Sequence, residues 1–430
     1  MFFYLINLGC AKNLVDSEKI TVELEKRGYQ LIDEMNKAEV VIINTCGFIT
    51  SAKEESIDTI LSVIRDKPKN AKLIVYGCLV KRYLEELKKE IPEVDAFFPI
   101  MPYEKLAEEI SALCPPKNYE KKGSGKRILF TPPSYTYVKI AEGCRNYCSY
   151  CAIPLIRGSI KSFPKELIIN EIKSRLDVGY KEINLIAQDI TSYGIDLYGK
   201  PSLTELIKDI LKIKKDFWLR LLYLFPSRID DNLIDLISSD DRIVKYLDIP
   251  LQHANDRLLK LMHREYNKSQ IVRIIDKLRT RISGITVRSS FITGFPTETE
   301  EEFNELLDFV KDMQLDHVGV FEYSEEEDTS AVKFKPKIAD SVKRKRKGLI
   351  MKAQKEIEKE KNRAKKGKIF RCIVDRPFDD MGAVYEGRIY SQAPEVDGVT
   401  FIKNYDPTKG LMIDVKIQNF KSYDLIASCI

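Results

Sequence analysis

Three apolar runs open the chain, and each leads into a helical pattern. FFYLINLG, VVIINT and KLIVYG alternate with DSEKITVELEKRG, SAKEESIDTILSVIRD and KRYLEELKKEI. Strands that are apolar on both faces occur almost only in parallel sheets covered by helices on both sides. Residues 1–113 are therefore expected to form a doubly wound parallel α/β domain. Residues 114–129 are rich in Pro, Gly and Lys without apolar periodicity, which reads as a linker. The alternation then resumes over 130–340, with six candidate strands: YVKIAEG, EINLIAQD, WLRLLYL, YLDIPLQ, ITVRSSFITG and HVGVFEYS. A closed eight-unit barrel takes about 250 residues. This span is shorter, so a partial (β/α)6 TIM-like barrel is expected, with a second doubly wound sheet as the alternative. A basic helix over 341–366 leads to residues 367–430. There KIFRCIVD, AVYEGRIY, GVTFIKN and LMIDVKIQNF, separated by turn residues, imply a small antiparallel β-barrel.

Composition narrows the function classes. A length of 430 residues predicts two to four domains, and 44% hydrophobic with 31% charged residues is a globular balance rather than a disordered or fibrous one, so the alternating pattern implies an α/β multidomain protein. It contains no run of about 18 apolar residues of the kind that spans a bilayer. Its first residues lack a basic segment and a small-residue cleavage site, so a cytoplasmic protein without membrane partners is expected. Net charge is +5, but residues 341–368 hold 13 Lys/Arg against 3 Glu, leaving the remainder at −5. Such a run is compatible with a solvated helix face or with one nucleic-acid-facing segment.

Nine cysteines exceed routine core use, and disulfides are unexpected in this compartment. Cys114, Cys372 and Cys429 share no context and read as structural or incidental thiols. Cys144, Cys148 and Cys151 lie within EGCRNYCSYCAIP, on the loop after the first barrel strand, at the end where such barrels place chemistry. Three thiolates could serve zinc or iron. Structural zinc needs a fourth ligand, and the nearest His downstream is His253. Three thiolates on a four-iron cluster leave one iron open for a ligand. Tyr150 offers an aromatic surface beside this loop.

The x3-x2 cysteine spacing with an aromatic before the last Cys resembles the radical S-adenosylmethionine (radical SAM) superfamily. The resemblance implies that the open iron chelates S-adenosylmethionine. One electron then cleaves its S–C bond to a 5′-deoxyadenosyl radical, which abstracts hydrogen from a substrate C–H bond. It also implies cofactor contacts at the strand ends: Gln188 and Asp189 after the second strand, Gln252 after the fourth, and Arg288 and Gly294 in RSSFITGFPTE. That last segment resembles the superfamily's GFPGE-like strand end, with Thr297 where the second Gly usually stands. Each of these residues is also readable as an ordinary polar or turn residue at a strand end.

Cys10, Cys46 and Cys78 are dispersed, yet each follows a candidate parallel strand: LINLG-Cys10, IINT-Cys46 and IVYG-Cys78. Parallel strands end on one side of a sheet, and ligands bind in the crevice beyond those ends. Three thiols delivered there could hold one metal centre. INLGCAKNLVDSE and the three-part plan resemble the methylthiotransferase family along essentially the whole chain, the terminal barrel resembling a TRAM module. The resemblance implies a second 4Fe–4S cluster on Cys10, Cys46 and Cys78, whose open iron carries sulfur for insertion. It further implies two S-adenosylmethionine molecules per turnover.

Two substrate branches compete. GCAKNLVDSE resembles the RimO-type branch, which modifies the β-carbon of an aspartate in small-subunit ribosomal protein twelve. The tRNA adenosine branch more typically has Gln-Met after that Cys. Residues 369–430 carry 7 Lys/Arg and 9 Asp/Glu, a poor match to phosphates and a better one to a basic ribosomal protein. The expected partners are therefore that ribosomal protein, with the basic helix as a residual argument for contact with ribosomal RNA, and a flavodoxin or ferredoxin electron donor. No G-x-G-x-x-G nucleotide fingerprint supplies electrons internally. The alternatives are a tRNA adenosine methylthiotransferase and a non-catalytic iron–sulfur or RNA-binding protein.

Overall fold

Five parallel strands form the first sheet of the computed structural model, which describes residues 1–116, 130–378 and 382–430. They are β1 (Phe2–Asn7), β2 (Gln30–Leu31), β3 (Val40–Thr45), β4 (Lys72–Gly77) and β5 (Ala96–Pro99), in the order β2-β1-β3-β4-β5. Central β3 is buried at every position, as its uninterrupted apolar run requires. Helices α1 (Ala11–Glu25) and α4 (Tyr103–Leu113) pack one face through Ile20, Leu24, Leu106 and Ile110. Helices α2 (Thr50–Asp66) and α3 (Cys78–Glu90) pack the other through Ile60, Val63 and Leu87. The edge strands β2 and β5 escaped the sequence reading because two and four residues cannot display a period. Strand order reverses between β1 and β3, which opens a crevice at their carboxyl ends.

The central sheet holds β6 (Tyr135–Lys139), β9 (Glu182–Ile186), β10 (Trp218–Leu221), β11 (Ile243–Asp248), β12 (Thr286–Thr293) and β13 (His317–Glu322). A two-stranded ribbon of β7 (Ala141–Glu142) and β8 (Lys161–Ser162) sits between the first two. The order β13-β12-β11-β10-β9-β6 never reverses, and every pairing is parallel. An unreversed order keeps right-handed crossovers on one face. That excludes the doubly wound alternative and gives the partial barrel. Val138, Leu185, Leu219, Leu247 and Phe291 face the helices. The alternate positions, including Tyr137, Lys139, Glu182, Arg220, Tyr246 and Arg288, are just as buried or nearly so, although many are polar. Other parts of the chain must therefore cover this inner face.

The terminal barrel covers its lower half. Strands β14 (Ile369–Pro377), β15 (Val384–Ile389), β16 (Thr400–Lys403), β17 (Met412–Lys421) and β18 (Asp424–Cys429) close in the order β14-β15-β16-β18-β17. The pairings are antiparallel except β16 with β18, which is parallel. The fifth strand, DLIASC, was not among the four read from sequence. Cys372 lies in this barrel's core, consistent with a structural thiol. Arg388 pairs with Glu182 at 2.6 Å, and the Tyr246 hydroxyl donates to Asp397 at 2.7 Å. The helix Asp340–Lys365 buries Arg346, Ile350, Gln354, Glu358 and Asn362 along one ridge. It leaves Arg344, Lys345, Lys352 and Lys355 exposed. The linker expected at 114–129 falls outside the described residues beyond Pro116. Among the described residues, no helix is long and apolar enough to cross a membrane.

Candidate active site

Cys144, Cys148 and Cys151 stand on the irregular segment between β7 and the short helix α5 (Ile153–Arg157). Neighbouring loops brace it. Ser149 N–H donates to the Met262 carbonyl at 3.2 Å, and Ala331 N–H donates to the Ser149 carbonyl at 2.8 Å. Asn146 donates to Asp189 at 2.9 Å and accepts from Arg228 at 2.8 Å. Arg264 Nη1 donates to Cys148 Sγ at 3.3 Å. Burial pushes the Cys144 thiol up to about 11. Burial, and then the nearby Cys148, push Cys151 up as well.

The dispersed cysteines meet at the crevice where the first sheet reverses. Cys10 stands at the N-terminal boundary of α1, Cys46 follows β3, and Cys78 follows β4 as the first residue of α3. Gly9 has φ +91°, and a Cβ there would stand 2.9 Å from Cys46 Cβ. Only glycine lets these two loops approach so closely. Asn13 ties the three loops together. Its Nδ2 donates to the Leu8 carbonyl at 2.9 Å and the Thr45 carbonyl at 3.2 Å, and its Oδ1 lies 3.7 Å from Cys78 Sγ. Burial pushes Cys78 up to about 12, with neighbouring Cys46 and Cys10 adding to the rise. Cys10 is exposed, whereas Cys46 and Cys78 are buried.

A buried ionic seam joins the two cysteine regions. Arg157, six residues after Cys151, donates through Nη2 to Cys78 Sγ at 3.3 Å and to Asn13 Oδ1 at 2.6 Å. Its Nη1 lies 2.9 Å from both Asp16 and Glu142. Lys139 pairs with the same two carboxylates. Two cations and two anions cancel, which is what a buried cluster needs. Burial alone would raise Glu142, but Lys139 and Arg157 hold its carboxyl far below the usual range. Cys78 also packs against Ala152 and Ile156, beside Cys151. Beyond β13, Glu326 accepts from Arg82 at 2.6 Å and Lys53 at 3.1 Å. The N-terminal domain thus bridges the first and last strands of the six.

The remaining sequence candidates scatter around these loops. Gln188 donates to Glu142 at 2.9 Å, while its buried Oε1 has no hydrogen-bond partner. Asp189 is committed to Arg228, Asn146, Thr191 and Ser192, so it orients the cysteine segment. Tyr150 packs among Met262, Phe295 and Tyr323. Gln252 has φ +73° and forms a bridge to Phe291. Arg288 is engaged by Asp248 at 3.1 Å and by Asp397 of the terminal barrel at 3.4 Å. Gly294 has φ +70°, and a Cβ there would collide with Lys343. Thr297 keeps the left-handed turn of the missing glycine at φ +72°, held by Arg257 through bonds of 3.1 and 2.8 Å. Sequence reasoning missed Asn13, Arg157 and Arg264, since nothing local marks them as neighbours of a thiol.

Thiols are the donors that iron–sulfur clusters take. Among the described residues, no three His, Cys, Asp or Glu side chains converge on one point where a single ion could sit. A four-iron cubane takes a thiolate on each of three irons and leaves the fourth open. Each cysteine region also presents a guanidinium to a sulfur, which suits an anionic thiolate–iron centre. Unpartnered buried acceptors and donors at Gln188 Oε1, Ser149 Oγ and Tyr323 OH lie around the 144–151 segment. They suit a polar ligand bound there.

Comparison with known proteins matches this layout. Residues 3–99 match the uncharacterized protein family UPF0004, residues 138–310 the radical SAM superfamily, and residues 367–430 the TRAM domain. A ribosomal protein uS12 methylthiotransferase RimO of Acetivibrio thermocellus is 44% identical over 99% of this chain and 98% of its own. Its namesake in Thermodesulfovibrio yellowstonii is 46% identical over 98% of both chains. Among solved structures, the radical S-adenosylmethionine methyltransferase TsrM of Kitasatospora setae has a TM-score of 0.56 at 14% identity, covering 74% of this chain and 72% of its own. The cobalamin-dependent S-adenosylmethionine radical enzyme OxsB has a TM-score of 0.52 at 14% identity, covering 82% of this chain and 56% of its own. These two likenesses show the fold. The near full-length identity shows more: the chain belongs to the RimO family of radical SAM methylthiotransferases, enzymes that work with 4Fe–4S clusters and S-adenosylmethionine.

Proposed function

We propose that this enzyme inserts a methylthio group at the β-carbon of an aspartate in ribosomal protein uS12. One 4Fe–4S cluster sits on Cys144, Cys148 and Cys151, a second on Cys10, Cys46 and Cys78, and two S-adenosylmethionine molecules are used per turnover. The observation that carries the reading is the seam, where Arg157 ends the helix that follows Cys151 and touches Cys78. When bound, the cofactors supply a carbon-centred radical from S-adenosylmethionine on one side and the sulfur and methyl group on the other. The protein's part is to hold the two sources against one pocket and keep water out.

Individual side chains have defined tasks. Asn13 and Gly9 set the spacing of the first cysteine set. Asp189, through Asn146, fixes the second. Gln188 offers its free Oε1, and Gln252 its strained backbone, to the cofactor, while Tyr150 backs the cysteine loop. Arg288 and Gly294 support the strands and the long helix that frame this pocket. Exposed Cys10 marks the side from which substrate enters. The exposed cations Arg344, Lys345, Lys352 and Lys355 form a face able to meet ribosomal RNA phosphates, which supports action on the ribosomal protein in place. A cytoplasmic setting and a flavodoxin or ferredoxin donor complete the scheme.

The test is anaerobic incubation of the reconstituted enzyme with S-adenosylmethionine, a reductant and either uS12 or tRNA, followed by mass measurement. The reading expects one methylthio group on a uS12 aspartate and none on tRNA. Modified adenosine with untouched uS12 rejects it.

A further inference from the structure

The two cysteine regions differ in sequence but share one contact. In each, a single arginine of the central domain donates to a single cysteine sulfur at 3.3 Å: Arg157 to Cys78 and Arg264 to Cys148. Neither guanidinium is free to swing. Arg157 is held by Asn13, Asp16 and Glu142, and its side chain is 3% exposed. Arg264 donates through Nε to the Tyr266 hydroxyl at 2.6 Å and through Nη2 to the Pro250 carbonyl at 2.8 Å, and it stacks on Phe225 at 4.2 Å. A long, flexible cation pinned on every side is preorganised for the one bond left over, which goes to sulfur.

We propose that Arg157 and Arg264 are a matched pair of positioning residues, each raising the reduction potential of the cluster on the cysteine it touches, so that the central domain sets both potentials. The inference rests on the two-cluster reading above. Hydrogen bonds to sulfur and nearby positive charge stabilise the reduced, more negative cluster, and these are the recognised levers on its potential. The two arginines are not equal. Arg157 shares its charge with two carboxylates, whereas the partners of Arg264 are a phenol, a carbonyl and the cysteine sulfur. Arg264 therefore acts more strongly on its cluster than Arg157 does. The weaker pull at Cys78 leaves the N-terminal cluster harder to reduce, which suits a centre that delivers sulfur rather than the starting electron.

The experiment uses full-length protein in two backgrounds, Cys144/148/151→Ala and Cys10/46/78→Ala, each reconstituted with iron and sulfide and titrated by electron paramagnetic resonance. Arg264→Gln is expected to shift the core cluster's one-electron equilibrium toward the oxidised form by at least tenfold, about 59 mV. Arg157→Gln shifts only the N-terminal cluster, and by less. Arg→Lys at either position keeps the charge and recovers part of the shift. Unchanged potentials at full iron content overturn the proposal, as do equal shifts of both clusters by one variant. Cluster loss in Gln and Lys variants alike also counts against it, because the charge is retained in the second. A wild-type triplet at Cys10, Cys46 and Cys78 that binds no iron defeats the functional reading itself, and the Arg157 half falls with it.

Discussion

Cys144, Cys148 and Cys151 hang on one segment eight residues long, whereas Cys10, Cys46 and Cys78 arrive from three strand ends spread over 69 residues. The first set is held together by chain connectivity and needs the barrel only to orient it. The second has no local cause. It exists because β1, β3 and β4 are adjacent and parallel, so that their carboxyl ends share one crevice. A set made by connectivity tolerates loosening of its surroundings. A set made by strand order fails when the loops that carry it drift apart.

The largest contrast is expected from removing the cysteines themselves. Alanine at Cys144, Cys148 or Cys151 should reduce 5′-deoxyadenosine release to background. Alanine at Cys10, Cys46 or Cys78 should abolish methylthiolation while cofactor cleavage continues. Chromatographic assay of 5′-deoxyadenosine beside mass measurement of uS12 reads both, and full methylthiolation in the second group would erase the contrast.

Next in size is the seam between the sets. Asp16→Asn leaves Lys139 and Arg157 one carboxylate short in a buried site. The cost should be about 3–5 kcal/mol, as for other broken buried pairs, measured by chemical denaturation of the isolated protein. A loss under 1 kcal/mol would mean that the N-terminal domain is not anchored there.

Smaller again are the braces. Asn13→Ala should weaken iron retention in the dispersed set by about 10–100-fold, the usual effect of removing an outer-shell partner. Asn146→Ala, on the connected set, should cost less. Timed chelator challenge of the single-cluster backgrounds compares them, and the opposite ranking would contradict the connectivity argument.

The mildest test is pH. Glu142 has a folded value depressed below its unfolded one. Its contribution is therefore fully present above about pH 4.3 and is lost only as pH falls through the lower folded value. The unfolding midpoint should stay flat from neutral pH to about 5 as far as this group is concerned, then fall in acid. Glu142→Gln should lower the curve above about pH 5 and remove that acid limb.

Much of this was legible in sequence, and the reasons are local. Apolar runs such as VVIINT state that both faces are buried, and the x3-x2 spacing keeps three thiols on one short segment whatever surrounds them. The six strands of the central sheet appear where runs such as EINLIAQD alternate with helical patterns. The edge strands of two and four residues carry too little periodic signal to read, and DLIASC, whose apolar positions are interrupted by Ser, was not read as a strand. Thr297 departs from the glycine of the GFPGE-like pattern. Its left-handed backbone, secured by Arg257, explains how the turn persists without one.

By itself the sequence determined the parallel sheets, the terminal barrel and the six cysteines, because hydrophobic periodicity and residue spacing act over a few residues. Only the tertiary structure decided that Arg157 reaches Cys78, that Lys139 and Asp16 share a buried seam, and that Arg288 is committed to Asp397. Those contacts join residues more than 35 positions apart and depend on how domains dock. Electrostatics in a low-dielectric interior answers to distance in space, which a chain's order does not contain.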